Sequence, residues 1–196
     1  MYTLPNLLTL SRIAAIPVCI FVFYLPFGWN HFVASVVFIL AGVTDWFDGY
    51  LARRLSQTSK LGAFLDPVAD KLMVSAALVL LVQIYASAWM AIPAIVIIGR
   101  EITISALREW MAECGQRAQV AVSHIGKVKT VIQMFAIAMT LMVHPDLLHA
   151  DGNWFWKGIW GIGVILLYVS LVLTLLSAQI YLKAAWPNLI EVEKPQ

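Results

Sequence analysis

The chain has 196 residues, of which 61% are hydrophobic and 12% charged, with a net charge of +2. A water-soluble domain carries about twice that charged fraction, so the composition excludes one and points to an all-α membrane protein, a single unit over residues 1–196 without an appended soluble domain. So small a net charge gives no ground for a nucleic-acid partner, and the two cysteines, Cys19 in an apolar run and Cys114 in a polar loop, make no disulfide framework.

Apolar runs near the length that crosses a bilayer core predict a bundle of six transmembrane helices. The first, from about Leu7 to Phe27, is broken by Pro17, and no basic segment of the kind that opens a cleaved signal precedes it. Its opening, "LPNLLTLSRI", sets Asn6, Thr9 and Arg12 three residues apart, a polar stripe on an otherwise apolar segment that can face a ligand or close a site. The second span covers about Phe32 to Arg53 and the third Pro67 to Tyr85. Asp66 reads either as the N-cap before a first-turn proline, or as part of a helix already begun and kinked at Pro67. The fourth span runs from Trp89 to Leu107, the fifth from Gly126 to Val143 and the sixth from Trp156 to Lys183. The sixth is longer than a bilayer requires, so it is tilted or projects beyond it. Its "GIWGIG" at 158–163 allows a neighbouring helix to come close, although the spacing is not GxxxG.

Basic residues set the expected orientation. Arg53, Arg54 and Lys60 lie between spans two and three; Arg108, Arg117, Lys127 and Lys129 lie in or beside the connection from four to five; Lys183 and Lys194 lie near the C-terminus. The opposite connections hold only Lys157, so both termini are expected in the cytoplasm, with Trp29, Trp89, Trp154 and Trp156 at the outer interface. His31, His144 and His149 also fall on the outer side, and His124 precedes the fifth span as a loop histidine.

Between the second and third spans stands "DWFDGYLARRLSQTSKLGAFLDPVADK". On a helix, Asp45, Asp48, Gly49 and Ala52 fall at i, i+3, i+4 and i+7, one face carrying two carboxylates and two residues with almost no side chain. Asp66 and Asp70 form an i, i+4 pair, one turn after Gly62. Each aspartate costs about 2.5–3.5 kcal/mol at mid-bilayer on insertion scales, and four that converge raise one another's pKa values. Divalent cations remove both costs, and an all-carboxylate set suits Mg²⁺, Mn²⁺ or Ca²⁺ rather than zinc. Gly49 and Ala52 leave room for a bulky ligand, and Arg53 offers two parallel donors to phosphate oxygens. Together they describe a diphosphate site; the plainer reading is a solvated helix end with incidental acids.

The series Asp45-x2-Asp48-Gly49-x2-Ala52-Arg53-x8-Gly62-x3-Asp66-x3-Asp70, eight positions over 26 residues, resembles the signature of the CDP-alcohol phosphotransferase family without a departure. The resemblance implies a six-helix membrane enzyme, a homodimer, that holds two divalent cations (Mg²⁺ or Mn²⁺) and releases CMP from a CDP-linked lipid. It implies that Asp45, Asp48 and Asp66 are metal ligands and that Asp70 is a further ligand and the general base. It implies that Gly49, Ala52 and Arg53 contact the CDP moiety; beside it, the first-span stripe sets Asn6 and Thr9 to face the nucleotide or close the site.

The acceptor must be read elsewhere. "GREITISALREW" at 99–110 places Arg100 and Arg108 near the cytoplasmic end of the fourth span, and "GKVKTVIQ" at 126–133 opens the fifth with Lys127 and Lys129. Arg100, Arg108 and Lys127, with Lys60 and Lys129 behind them, are the candidates for gripping a phosphate on the acceptor, since a neutral alcohol needs no such group. Flanking positive charge accounts for Lys129 and Arg117 about as well. "PNLLTLSRI", "GREI" and "GKVKT" look like the branch of the family that joins CDP-diacylglycerol to sn-glycerol 3-phosphate at the cytoplasmic face of the inner membrane. Inositol phosphate, phosphatidylglycerol or serine as acceptor remain alternatives within the family. A cation or proton transporter is the alternative outside it, since intramembrane acids also mark ion paths.

Overall fold

The computed structural model describes the backbone of residues 4–55, 60–116 and 124–190, with side chains over 7–44, 62, 64–116, 126, 128–187 and 189. Every regular element among these residues is a helix: α1 (Leu4–Phe23), α2 (Asn30–Leu55), α3 (Lys60–Tyr85), α4 (Ala88–Glu113), α5 (His124–Met142), the short α6 (Pro145–His149) and α7 (Trp154–Ile190). Three stretches, Phe64–Tyr85, Ala88–Glu113 and Trp154–Pro187, are long and apolar enough to cross a membrane, and Leu7–Phe23, Asn30–Thr44 and Val128–Met142 are shorter apolar stretches.

The polarity of the fold is inverted relative to a water-soluble bundle. Phe21, Ile95 and Ile165 are about two-thirds exposed, whereas Ser35, Thr140, Ser170, Thr174 and Ser177 are fully buried. An outer surface this apolar needs hydrocarbon around it, and small hydroxyl residues let helices approach closely inside. α1 packs on α2 and α3, α5 on α7 and α2, and α4 on α7 and α3. Phe38, Leu78, Leu81, Ile97, Ile137 and Leu167 fill the shared core. A second, smaller cluster of Ile104, Met111, Tyr181 and Ala185 ties the far ends of α4 and α7 together. Of the glycines in "GIWGIG", Gly163 makes the close approach: a Cβ there would stand 3.1 Å from the backbone nitrogen of Thr140 on α5, while Gly158 and Gly161 face open space.

Several boundaries differ from the sequence expectation. α1 runs unbroken through Pro17, because a chain break inside an apolar layer would leave peptide groups without partners. α3 starts at Lys60, so Pro67 lies inside it and Asp66 is not an N-cap. This puts Lys60 at the head of a helix rather than in a loop, and of the two readings of Asp66 the one that holds is a helix already begun before Pro67. α4 continues to Glu113 and α7 to Ile190, past the apolar limits. The unforeseen α6 starts at a His144 N-cap, whose Nδ1 accepts from the Asp146 amide at 3.1 Å, with Pro145 at its first position. His124 opens α5 rather than preceding it in a loop, and His31 is buried and stacks edge-on against His144 at 4.6 Å and Phe23 at 4.5 Å. Exposed Trp29 lies at this same end of the bundle in the turn joining α1 to α2, and exposed Trp89 and Trp154 lie there in the first turns of α4 and α7.

Candidate active site

The opposite end of the bundle gathers the acids. Asp66 and Asp70 stand one turn apart on α3, which α1 crosses. Thr9 of α1 is 1% exposed and donates from Oγ1 to Asp66 Oδ1 at 2.6 Å. Arg12, one turn further along α1, is also buried. Thr9 of the stripe thus closes against Asp66 and orients its carboxylate through one oxygen, as outer partners of ligating groups commonly do. α2 remains helical through Leu55, so Asp45, Asp48, Gly49 and Ala52 share one face of a continuous helix. The side chains of these four residues, and of Asn6, Arg53, Lys60 and Lys127, lie outside the described residues.

Asp70 borders two cavities of opposite character. One, of about 450 Å³, is an apolar groove between α2 and α5, walled by Phe38, Ile39, Val43, Val131, Met134 and Phe135. The other, of about 210 Å³, is polar and brings Asp70 together with Arg100 and Arg108 of α4 and Lys129 of α5. Asp70 and Thr130 line both. Three of the five cations put forward for an acceptor phosphate are therefore assembled around one space with the candidate base.

Two of these cations are held firmly. Arg100 donates from Nη1 to Glu101 Oε1 at 3.2 Å and from Nη2 to Ser177 Oγ of α7, and its guanidinium lies over the Tyr181 ring, 5.6 Å from the centroid. Lys129 is 3% exposed and donates from Nζ to the same Glu101 oxygen. Arg108 is exposed on the rim. Sequence reasoning missed Glu101 as the link between the cations, and missed Ser177 and Tyr181 entirely. A signal for the α7 pair existed: Ser170, Thr174 and Ser177 recur at helical spacing along an otherwise apolar helix.

Among the described residues no three His, Cys, Asp or Glu side chains converge as a metal cage, which is consistent with two of the four motif aspartates lying outside them. The donor chemistry fits hard divalent cations: carboxylate oxygens, one of them fixed by a hydroxyl, with no thiol or imidazole in the set.

The model of the CDP-alcohol phosphatidyltransferase family matches residues 2–176. The chain is 52% identical over 190 residues to the CDP-diacylglycerol–glycerol-3-phosphate 3-phosphatidyltransferase of Pectobacterium atrosepticum, covering 97% of this chain and 98% of the relative. It is 52% identical over 188 residues to the protein of that name from Sodalis glossinidius, covering 96% and 97%, and 50% identical over 190 residues to that from Escherichia coli K12, covering 97% and 98%. With the family model spanning nearly all of the chain and the relatives aligned end to end, this protein belongs to the CDP-alcohol phosphatidyltransferase family.

Proposed function

We propose that this protein transfers the phosphatidyl group of CDP-diacylglycerol to sn-glycerol 3-phosphate, releasing CMP. The observation that carries the reading is the junction at Asp70 of an apolar groove and a cavity lined by Arg100, Arg108 and Lys129. A lipid donor fits the first and a phosphate-bearing acceptor the second, and their reacting groups meet at a carboxylate.

The C1 hydroxyl of the acceptor attacks the phosphorus that bears the diacylglycerol. The new P–O bond forms as the bond to the CMP oxygen breaks, and Asp70 takes the hydroxyl proton on a carboxylate oxygen. Arg100, Arg108 and Lys129, together with Lys127 and Lys60, hold the acceptor phosphate and fix the hydroxyl's line of approach. Gly49 and Ala52 give the nucleotide room against α2, Arg53 holds its diphosphate, and Asn6 and Thr9 close the site from α1. Two divalent cations, Mg²⁺ or Mn²⁺, held by Asp45, Asp48, Asp66 and Asp70, would neutralise the diphosphate charge. CMP release from CDP-diacylglycerol is expected to require both sn-glycerol 3-phosphate and Mg²⁺ or Mn²⁺, and to stop on chelation with EDTA. Equal turnover with inositol phosphate or serine would move the protein to another branch, and ion flux without CMP release would make it a transporter.

The chain crosses the inner membrane six times, with both termini and the site at the cytoplasmic face, and works as a homodimer. Its two cysteines offer a test of orientation: Cys114 at the end of α4 is exposed, and Cys19 is buried. A membrane-impermeant maleimide is expected to label Cys114 in inverted vesicles and not in right-side-out ones, with Cys19 silent in both. Labelling from the outside would reverse the topology.

A further inference from the structure

We propose that Thr130 sets the specificity for the acceptor, by accepting a hydrogen bond from the C2 hydroxyl of glycerol 3-phosphate. The proposal rests on the reaction proposed above. Thr130 follows Lys129 in α5 and lines both the polar cavity and the apolar groove. A threonine hydroxyl has one proton to give and two lone pairs to receive with. Thr130 gives its proton to the Gly126 carbonyl, with Oγ1 2.9 Å from the carbonyl oxygen. Helix threonines often make this bond, as Thr103 does to Gly99 at 2.8 Å, so the bond alone marks no site. At a cavity wall it has a chemical consequence: an oxygen whose proton is committed is left to accept, and it selects a ligand group that donates.

Glycerol 3-phosphate brings a phosphate, a C1 hydroxyl and a C2 hydroxyl. The phosphate accepts hydrogen bonds, so it belongs with the donors Arg100, Arg108 and Lys129 and not with Thr130. The C1 hydroxyl attacks the donor's phosphorus, so it belongs where cavity and groove meet. The C2 hydroxyl sits between these two on the carbon chain, and it is a donor in need of an acceptor. Thr130 suits that middle place. It is joined directly to a cation of the phosphate end, and it stands on the wall that the two cavities share. Lys129 is buried against Glu101, whereas Thr130 is exposed and open to a ligand. A phosphate and a primary alcohol are features of many small metabolites, so the C2 hydroxyl is the group by which a site tells this acceptor from its deoxy counterpart.

The test compares two acceptors. Propane-1,3-diol monophosphate keeps the phosphate and the attacking hydroxyl and lacks only the C2 hydroxyl. The unaltered protein is expected to favour glycerol 3-phosphate over it about tenfold in kcat/KM, the upper end of what one neutral hydrogen bond contributes. Thr130→Val keeps the shape and removes the hydroxyl. It is expected to bring that ratio down to about one, by lowering kcat/KM for glycerol 3-phosphate while that for the diol phosphate holds. Thr130→Ser keeps the hydroxyl and its bond to the preceding turn, and should keep the ratio. A merely structural role lowers both acceptors alike and leaves the ratio standing. A Thr130→Val ratio equal to that of the unaltered protein therefore overturns the proposal, as does an unaltered protein that uses both acceptors equally well. If Thr130→Val does not fold, Thr130→Ala is judged by the same ratio. Absence of glycerol-3-phosphate-dependent CMP release from the unaltered protein would instead overturn the proposed reaction, and this inference with it.

Discussion

Replacing Asp70 with asparagine is expected to lower CMP release by about 10³-fold or more, within the range that positioned acid–base groups supply. The substitution keeps the side chain's shape and its place on both cavities, so the loss should appear in kcat, with detergent-solubilised protein unfolding at nearly its original temperature. Proton acceptance and metal ligation both need the charge that asparagine lacks. The two roles separate with metal concentration: raising Mg²⁺ or Mn²⁺ restores a variant that has lost only a ligand, and does nothing for one that has lost its base. Turnover in Asp70→Asn equal to that of the unaltered protein would remove Asp70 from the mechanism.

The second large effect is expected from Arg100→Ala. A hydrogen bond to a charged group contributes about 1.5–3 kcal/mol, so the KM for glycerol 3-phosphate should rise about 10- to 100-fold, with that for CDP-diacylglycerol little changed. Arg100→Lys should recover only part of the loss. An ammonium keeps the charge, but it cannot reach Ser177 and Glu101 at once as the guanidinium fork does, nor lie flat over Tyr181. An unchanged acceptor KM in Arg100→Ala would place the phosphate elsewhere.

These residues were not equally legible in the chain. The aspartates were, because four carboxylates at helical spacing beside membrane-length segments carry a cost that only a ligand explains. Arg100 was, because it stood well inside an apolar run. What holds Arg100 was not: Ser177 lies 77 positions away, and the contact depends on how α4 packs on α7. Glu101 was not legible as the link between the cations, because α5 brings Lys129 against it only in the fold. The prolines misled for a related reason. Water-based rules make Pro17 a break and favour Pro67 as a first-turn residue over a position inside the helix, yet both lie within helices, since in hydrocarbon an interrupted helix leaves peptide groups without partners. The apolar groove had no local signature, because Phe38 and Phe135 are ordinary apolar residues until α2 and α5 set them opposite each other.

On the proposed assignment of one cavity to each substrate, the junction at Asp70 and Thr130 also decides how each is counted. A donor held by its tails in the groove would arrive by lateral diffusion, so what matters is its mole fraction among the surrounding lipids and not its amount per litre. The acceptor arrives from water and is counted by volume. Inert lipid added at constant total donor therefore slows the enzyme without diluting either reagent in the bulk. The two products part the same way: CMP departs into solution, and the new phospholipid, now carrying the acceptor's phosphate, spreads through the bilayer.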